Sequence, residues 1–287
     1  VIGTLSEMKI SYTHQHADFS ASRLPEYELH LMISGRSFIY LICLPEGKVH
    51  AIREIRFSEN PDLKSIQQVL HQESILQEKF ATVRWICDSS RFLLCPEEYL
   101  RYEEAENLFA EIRDAWQVPG KIELNNLGEI LRCTLIHEPD LDLRRLLEQH
   151  FPRIGFNHVI TRTLYQANRI HQIHQPIVTA LITAFDGYFT LNILNRTGPV
   201  LSQIFRAETA DDYLYYLLWS CKQLNISIDH VTLWVSGNFH TPTAVIDLLN
   251  SYFLGVKYLP GLTGSPWFTP DSRVPVLHYI GLLPELP

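Results

Sequence analysis

The chain has 287 residues, with 24 basic and 32 acidic side chains and a formal charge of −8. Hydrophobic residues make up 46% and charged residues 20%, which excludes a mainly disordered, collagenous or coiled-coil chain and fits two domains of ordinary size. No dense Lys/Arg run exists, so nucleic acid is not an expected partner, and no apolar run approaches the ~18 residues of a membrane span.

The cysteines are Cys43, Cys87, Cys95, Cys133 and Cys221, an odd number with no CxxC pair. Buried free thiols in a reducing compartment are the simplest reading, which makes a cytoplasmic location the expectation. Residues 1–26 are polar, with no basic start followed by an apolar run. No signal peptide is expected in them, and they read as an extension or a loosely docked arm.

From Tyr27 the pattern changes. Leu29, Leu31 and Ile33 alternate with His30, Met32 and Ser34, the period of a strand. Ser34-Gly35-Arg36-Ser37 is a turn, Phe38–Leu44 a second strand, and Val49–Phe57 a third after Pro45-Glu46-Gly47-Lys48. Such short turns predict an antiparallel meander. A helix follows, with Asn60 as its cap, Pro61 at its first position and Leu63, Ile66 and Leu70 on one face. Thr82–Cys87 is a short β-rich run, and Pro96-Glu97 opens a helix through Leu100, Leu108 and Ile112. Lys121–Leu124 and Ile130–Ile136 flank Asn125-Asn126-Leu127-Gly128 as a hairpin. Pro139 starts a helix through Leu143, Leu146 and Leu147, and Phe156–Ile173 predicts another.

The pattern then recurs. Ile177–Phe185, Tyr188–Leu194 and Val200–Phe205 are strands, with Asp186-Gly187 as the first turn. Thr209 and Asp212 have capping-box spacing ahead of a helix. Val231–Val235 is a strand ending in Ser236-Gly237-Asn238, and Pro242 opens a helix. Both halves therefore read β-β-β-α-β-α, with the fourth strand expected parallel to its own meander. After Tyr258 the chain turns loop-like, with Trp267-Phe268 between prolines, before a last apolar segment, Val274–Leu283.

This duplicated unit resembles the ribonuclease-H-like half of the actin, sugar-kinase and heat-shock-chaperone (ASKHA) superfamily. Tyr27–Phe57, Ala184–Phe189, Ala210–Tyr216 and Leu233–Gly237 also resemble one bacterial domain-of-unknown-function family with an actin-like ATPase fold. The resemblance implies an α/β protein of two ribonuclease-H-like domains, 27–152 and 153–287, after an extension at 1–26. It implies a nucleotide cleft between them, with the first hairpin turn of each half facing the phosphates. Glycine there lets backbone N–H groups approach closely, and an adjacent Asp can hold Mg²⁺ or orient a water.

The candidate nucleotide-binding residues are accordingly Ser34, Gly35, Arg36, Asp186, Gly187, Ser236, Gly237 and Asn238, with Asp186 the candidate catalytic group. The first turn lacks the usual Asp. The second has bulky Tyr188 and Phe189 after its glycine, and Ser236-Gly237-Asn238 lacks a second glycine. The expectation is a non-catalytic or weakly nucleotide-binding scaffold working through a protein partner, its cleft blocked by Arg36, Tyr188 and Phe189. The alternative is an ATPase or sugar-kinase-like phosphotransferase using ATP, Mg²⁺ and Asp186. Arg36 either meets phosphate or takes its place beside a carboxylate. His171 and His174 share a helix face, but no third ligand is near in sequence, so no metal site is expected. The aromatic run Tyr213, Tyr215, Tyr216 and Trp219 covers more than one helix face and reads as a helix sandwiched between sheet and neighbour, with a partner surface as the alternative. Trp267-Phe268 reads as cover for the inter-domain seam, with the same alternative.

Overall fold

The computed structural model describes residues 8–113, 119–239 and 241–259; Trp267-Phe268 and Val274–Leu283 lie outside them. The elements run β1 (Met8–Gln15), β2 (Glu28–Ser34), β3 (Ser37–Cys43), β4 (Val49–Phe57), α1 (Leu63–Gln72), β5 (Thr82–Cys87), β6 (Phe92–Pro96), α2 (Ala105–Ala110), β7 (Glu123–Asn126), α3 (Gly128–Leu131), β8 (Cys133–His137), α4 (Leu141–His150), β9 (Ile154–His158) and α5 (Val159–His174). The second half follows as β10 (Val178–Ala184), β11 (Tyr188–Asn195), β12 (Gly198–Arg206), α6 (Ala210–Gln223), β13 (Val231–Gly237), α7 (Pro242–Asn250) and β14 (Lys257–Tyr258).

The strand order of the first sheet is β1-β4-β3-β2-β5-β9, and that of the second is β12-β11-β10-β13-β14. Apart from β1, the two orders coincide. Each sheet has an antiparallel meander whose first strand pairs in parallel with the fourth, β2 with β5 and β10 with β13. The duplication expected from the sequence is therefore present in the hydrogen bonding.

Alternation along each strand gives every sheet two apolar faces. The outer face of the first sheet, with Leu29, Leu31, Phe38 and Ile42, packs on α1 and α4 through Ile66, Val69, Leu70 and Leu147. The outer face of the second, with Ala180, Ile182, Phe189 and Leu191, packs on α6 and α7. Between the two inner faces runs α5, whose Ile160, Leu164 and Ala167 join Met32 and Leu41 of one sheet to Leu181 and Trp234 of the other. Each such large side chain, fully buried, contributes about 1.5–3 kcal/mol.

Several local expectations are corrected. The expected arm is a strand from Met8 on, antiparallel to β4. Its sequence is polar because it lies at a sheet edge with mostly exposed side chains. Asp62, not Asn60, caps α1, its carboxylate accepting from the Ser65 N–H at 2.8 Å. Phe92–Pro96 is a strand rather than the approach to a long helix, and the helix expected there shrinks to Ala105–Ala110. The expected hairpin exists, with a short helix at its tip, and together with β6 it forms a separate sheet in the order β6-β8-β7. Phe156 does not begin a helix. Ile154–His158 pairs in parallel with β5, so the first sheet runs past the boundary expected near Pro152. The capping box at Thr209 and Asp212 is formed, and Pro242 stands at the start of α7.

Candidate functional site

The first turn of each meander is a two-residue link. Ser34 pairs with Ser37 around Gly35-Arg36, and the Phe185 N–H donates to the Tyr188 carbonyl around Asp186-Gly187. Gly35 and Asp186 thus hold equivalent positions, and the fold brings them face to face. A Cβ placed on Gly35 would stand 2.6 Å from Asp186 Oδ2. The same oxygen accepts from the Arg36 N–H at 3.3 Å, with Arg56 Nη2 at 3.6 Å and Arg36 Nε at 4.0 Å. Arg36 therefore stands beside the carboxylate, the second of its two expected roles.

The surroundings close the gap further. Tyr188 is buried, and its ring stacks on Phe185 with centroids 4.9 Å apart. Its hydroxyl faces Ser34 and Asp88 of the other half, and burial pushes its pKa well up. Burial also pushes the Asp88 carboxyl up to about 6. Phe189 was expected to block the cleft but points the other way, fully buried on the outer face and stacked on Tyr213. Asp88, Arg56 and Tyr188 as a bridging group were not legible beforehand, because no local motif marks them.

Ser236, Gly237 and Asn238 end β13, beside β10. Ser236 is buried. Gly237 has φ +92°, and a Cβ there would collide with the Ala184 backbone, so strand packing requires glycine at this position. The Asn238 N–H donates to the Ala184 carbonyl at 2.9 Å. Thr190, Thr183 and Ser236 stand side by side on three neighbouring strands, and their buried hydroxyls have no hydrogen-bond partner among the described residues. Gly187 has φ +81° and open space around it. The structure thus brings Ser34, Gly35, Arg36 and Asp186 together, and sets Ser236–Asn238 at the end of an adjacent strand pair.

In this arrangement the Asp186 carboxylate, which would face Mg²⁺, is engaged by a backbone N–H and two guanidinium groups, and its side chain fills the space beside Gly35.

Away from the cleft, the aromatic run on α6 divides. Tyr213 is buried, while Tyr215 is 61% and Trp219 45% exposed. The helix is therefore not sandwiched on all sides: α6 packs on the outer face of the second sheet and leaves these two rings exposed to solvent. A cluster with no local sequence signal joins Glu28 and His30 of β2 to Cys43 of β3.

The chain matches the family model described as "Protein of unknown function (DUF3822)" over residues 16–256. Among solved structures it is similar to a Bacteroides thetaiotaomicron protein with actin-like ATPase fold and unknown function, at 18% identity and a TM-score of 0.69, covering 86% of this chain and 97% of that one. It is also similar to a chain of the PilM–PilN type IV pilus biogenesis complex, at 11% identity and a TM-score of 0.58, covering 89% of this chain and 94% of that one. No curated protein matches the chain. The fold is that of the actin-like ATPases.

Proposed function

The chain belongs to the DUF3822 family, and from that premise we propose that it is an actin-like scaffold that acts by binding a protein partner rather than by hydrolysing ATP. The observation that carries this reading is the contact of Asp186 with Gly35, Arg36 and Arg56. The Asp186 carboxylate is compensated within the chain. A triphosphate would have to part the two turns and compete with Asp186 for both arginines. The partner half of the reading draws support from the exposed Tyr215 and Trp219, and from the fold's presence in a complex, that of PilM with PilN. Among the described residues no helix is long and apolar enough to cross a membrane, and all five cysteines are unpaired and buried, which favours a cytoplasmic setting.

Calorimetric titration with Mg-ATP tests the reading, on the wild type and on Asp186→Ala. The expected result is no heat and no thermal stabilisation at millimolar nucleotide. Micromolar binding that Asp186→Ala abolishes would overturn it and make the cleft a phosphotransfer or ATPase site.

A further inference from the structure

Glu28, His30 and Cys43 lie on the inner face of the first sheet, at the end of β2 away from the Gly35 turn. Glu28 and His30 are two apart on one strand and so point the same way, and Cys43 pairs directly with Glu28 across β2 and β3. His30 and Cys43 are fully buried, while the Glu28 side chain keeps 15% of its surface in solvent. The atoms converge on one nitrogen. His30 Nε2 is 3.1 Å from Glu28 Oε2 and 3.9 Å from Cys43 Sγ, and all three atoms lie within 4.8 Å of one another.

We propose that Glu28 Oε2, His30 Nε2 and Cys43 Sγ form a site for one zinc ion. A tetrahedral zinc with bonds of about 2.0–2.3 Å holds its ligand atoms about 3.3–3.6 Å apart, so the two separations from His30 Nε2 need shifts of only a few tenths of an ångström. That between Glu28 and Cys43, within 4.8 Å, closes by at most about an ångström of side-chain movement. Carboxylate, imidazole and thiolate are all ordinary zinc ligands. Three protein ligands leave the fourth position to a water, which reaches the site from the exposed side of Glu28. The ligands stand on paired central strands, so the site is held by the sheet rather than by a loop. On binding, the Cys43 thiol gives its proton to solvent and its sulfur coordinates as thiolate. The proton that His30 Nε2 directs at Glu28 passes to Nδ1, which frees the Nε2 lone pair for the metal.

Two cations share the neighbourhood. Arg84 Nε lies 3.9 Å from Glu28 Oε2, and its side chain is 37% exposed. Arg162 of α5 is buried and also faces Glu28 and Cys43. Zinc must displace Arg84 from Glu28, and Arg84 can swing into solvent. Arg162 stays, weakening cation binding in general while favouring the thiolate. The arginines therefore make a definite signature: removing Arg84 should tighten the site, whereas removing a member of a simple ion-pair network would only loosen the protein.

The test uses the whole chain, stripped of metal, with Co²⁺ as a spectroscopic probe and Zn²⁺ titrated against a chromophoric chelator. One equivalent of Co²⁺ should give a sulfur-to-cobalt charge-transfer band that Zn²⁺ bleaches. Cys43→Ser should abolish the band, Glu28→Gln should weaken Zn²⁺ at least about tenfold, and Arg84→Ala should strengthen it. If Cys43→Ser fails to fold, the isosteric Glu28→Gln and the surface change Arg84→Ala decide the matter. Absence of the band, or Zn²⁺ affinity unchanged in Glu28→Gln and Arg84→Ala, would overturn the site.

Discussion

The two sheets follow one strand order, and their first turns put different residues in equivalent places. In the first sheet that place is Gly35 and in the second it is Asp186, and the two positions meet. Had both kept an Asp, two carboxylates would oppose each other across the gap and call for a cation between them. Glycine on one side removes the second charge and makes room for the first. Arg36 and Arg56, both from the first sheet, then neutralise the carboxylate of the second. The halves differ elsewhere in the same sense. Among the described residues the first carries an extra edge strand, an inserted three-stranded sheet and buried histidines, whereas the second is close to the bare repeat. A duplicated scaffold has kept its hydrogen-bonding order while the chemistry at its centre became complementary rather than symmetric.

The largest effect expected from testing this comparison is at Gly237. The fourth strand of the second sheet passes so close to Ala184 that no side chain fits, whereas its counterpart in the first sheet ends in Cys87. Gly237→Ala should cost about 4 kcal/mol or more, read as insolubility or as a large fall in melting temperature. A well-folded variant of near wild-type stability would show that the two fourth strands are equivalent after all.

A middle-sized effect is expected where the turns meet. Gly35→Ala should cost about 2 kcal/mol, part of it for a side chain at φ +54° and part for the collision with Asp186. Asp186→Gly in the same chain should recover the second part, with a coupling of about 1 kcal/mol in denaturant melts. Strictly additive costs would mean that the turns do not bear on each other.

The smallest effect is a pH dependence confined to the first half. His158 accepts the Ile160 N–H on Nδ1 and donates Nε2–H to the Ser89 carbonyl at 2.8 Å, so the folded state holds the neutral ring. Burial lowers its pKa to about 4 and drives that of neighbouring His137 well down. Below the ordinary histidine value near 6.5 the unfolded chain takes up protons that the folded chain refuses. The contribution of these rings is therefore full above that pH and falls as pH drops toward 4, by at most about 1.4 kcal/mol per pH unit for each ring. The buried Asp88 carboxyl, raised to about 6, takes up its proton first in the folded state and offsets about one ring's share below that pH. His158→Asn keeps a capping side chain and should lower the slope by one ring's share. Hydrogen exchange at pH 5 should quicken in β8, β9 and α5 before β10–β13, and uniform quickening would break the distinction between halves.

How much was legible beforehand follows from which signals are local. The meander turns, the capping box at Thr209 and the parallel return strands all lie in short windows of sequence, and they were read in place. β9 was not, because it passes into α5 with no turn residue, so the apolar positions from Phe156 onward read as one helix. β6 was hidden by Pro96, which sits at the end of the strand and suggested a helix start. Of the residues that meet in the cleft, Asp186, Gly35 and Arg36 were readable from their turns. Arg56, Asp88 and Tyr188 as a bridging group were not, because they assemble only when the sheets face each other. Glu28, His30 and Cys43 depend on the register of β2 with β3, which alternation alone does not supply.

The junction of β9 and α5 carries a mechanical consequence. The strand ends at His158 and the helix begins at Val159, so no spare residue lies between the first sheet and the helix seated on the second. Asn125 holds that joint from the side, its amide donating to the Phe156 carbonyl at 3.0 Å and accepting the His158 N–H at 3.0 Å. Engineers would recognise a built-in beam rather than a pinned one. Any force that tilts α5 acts as a bending moment on β9, and a partner pulling on one half therefore loads the other.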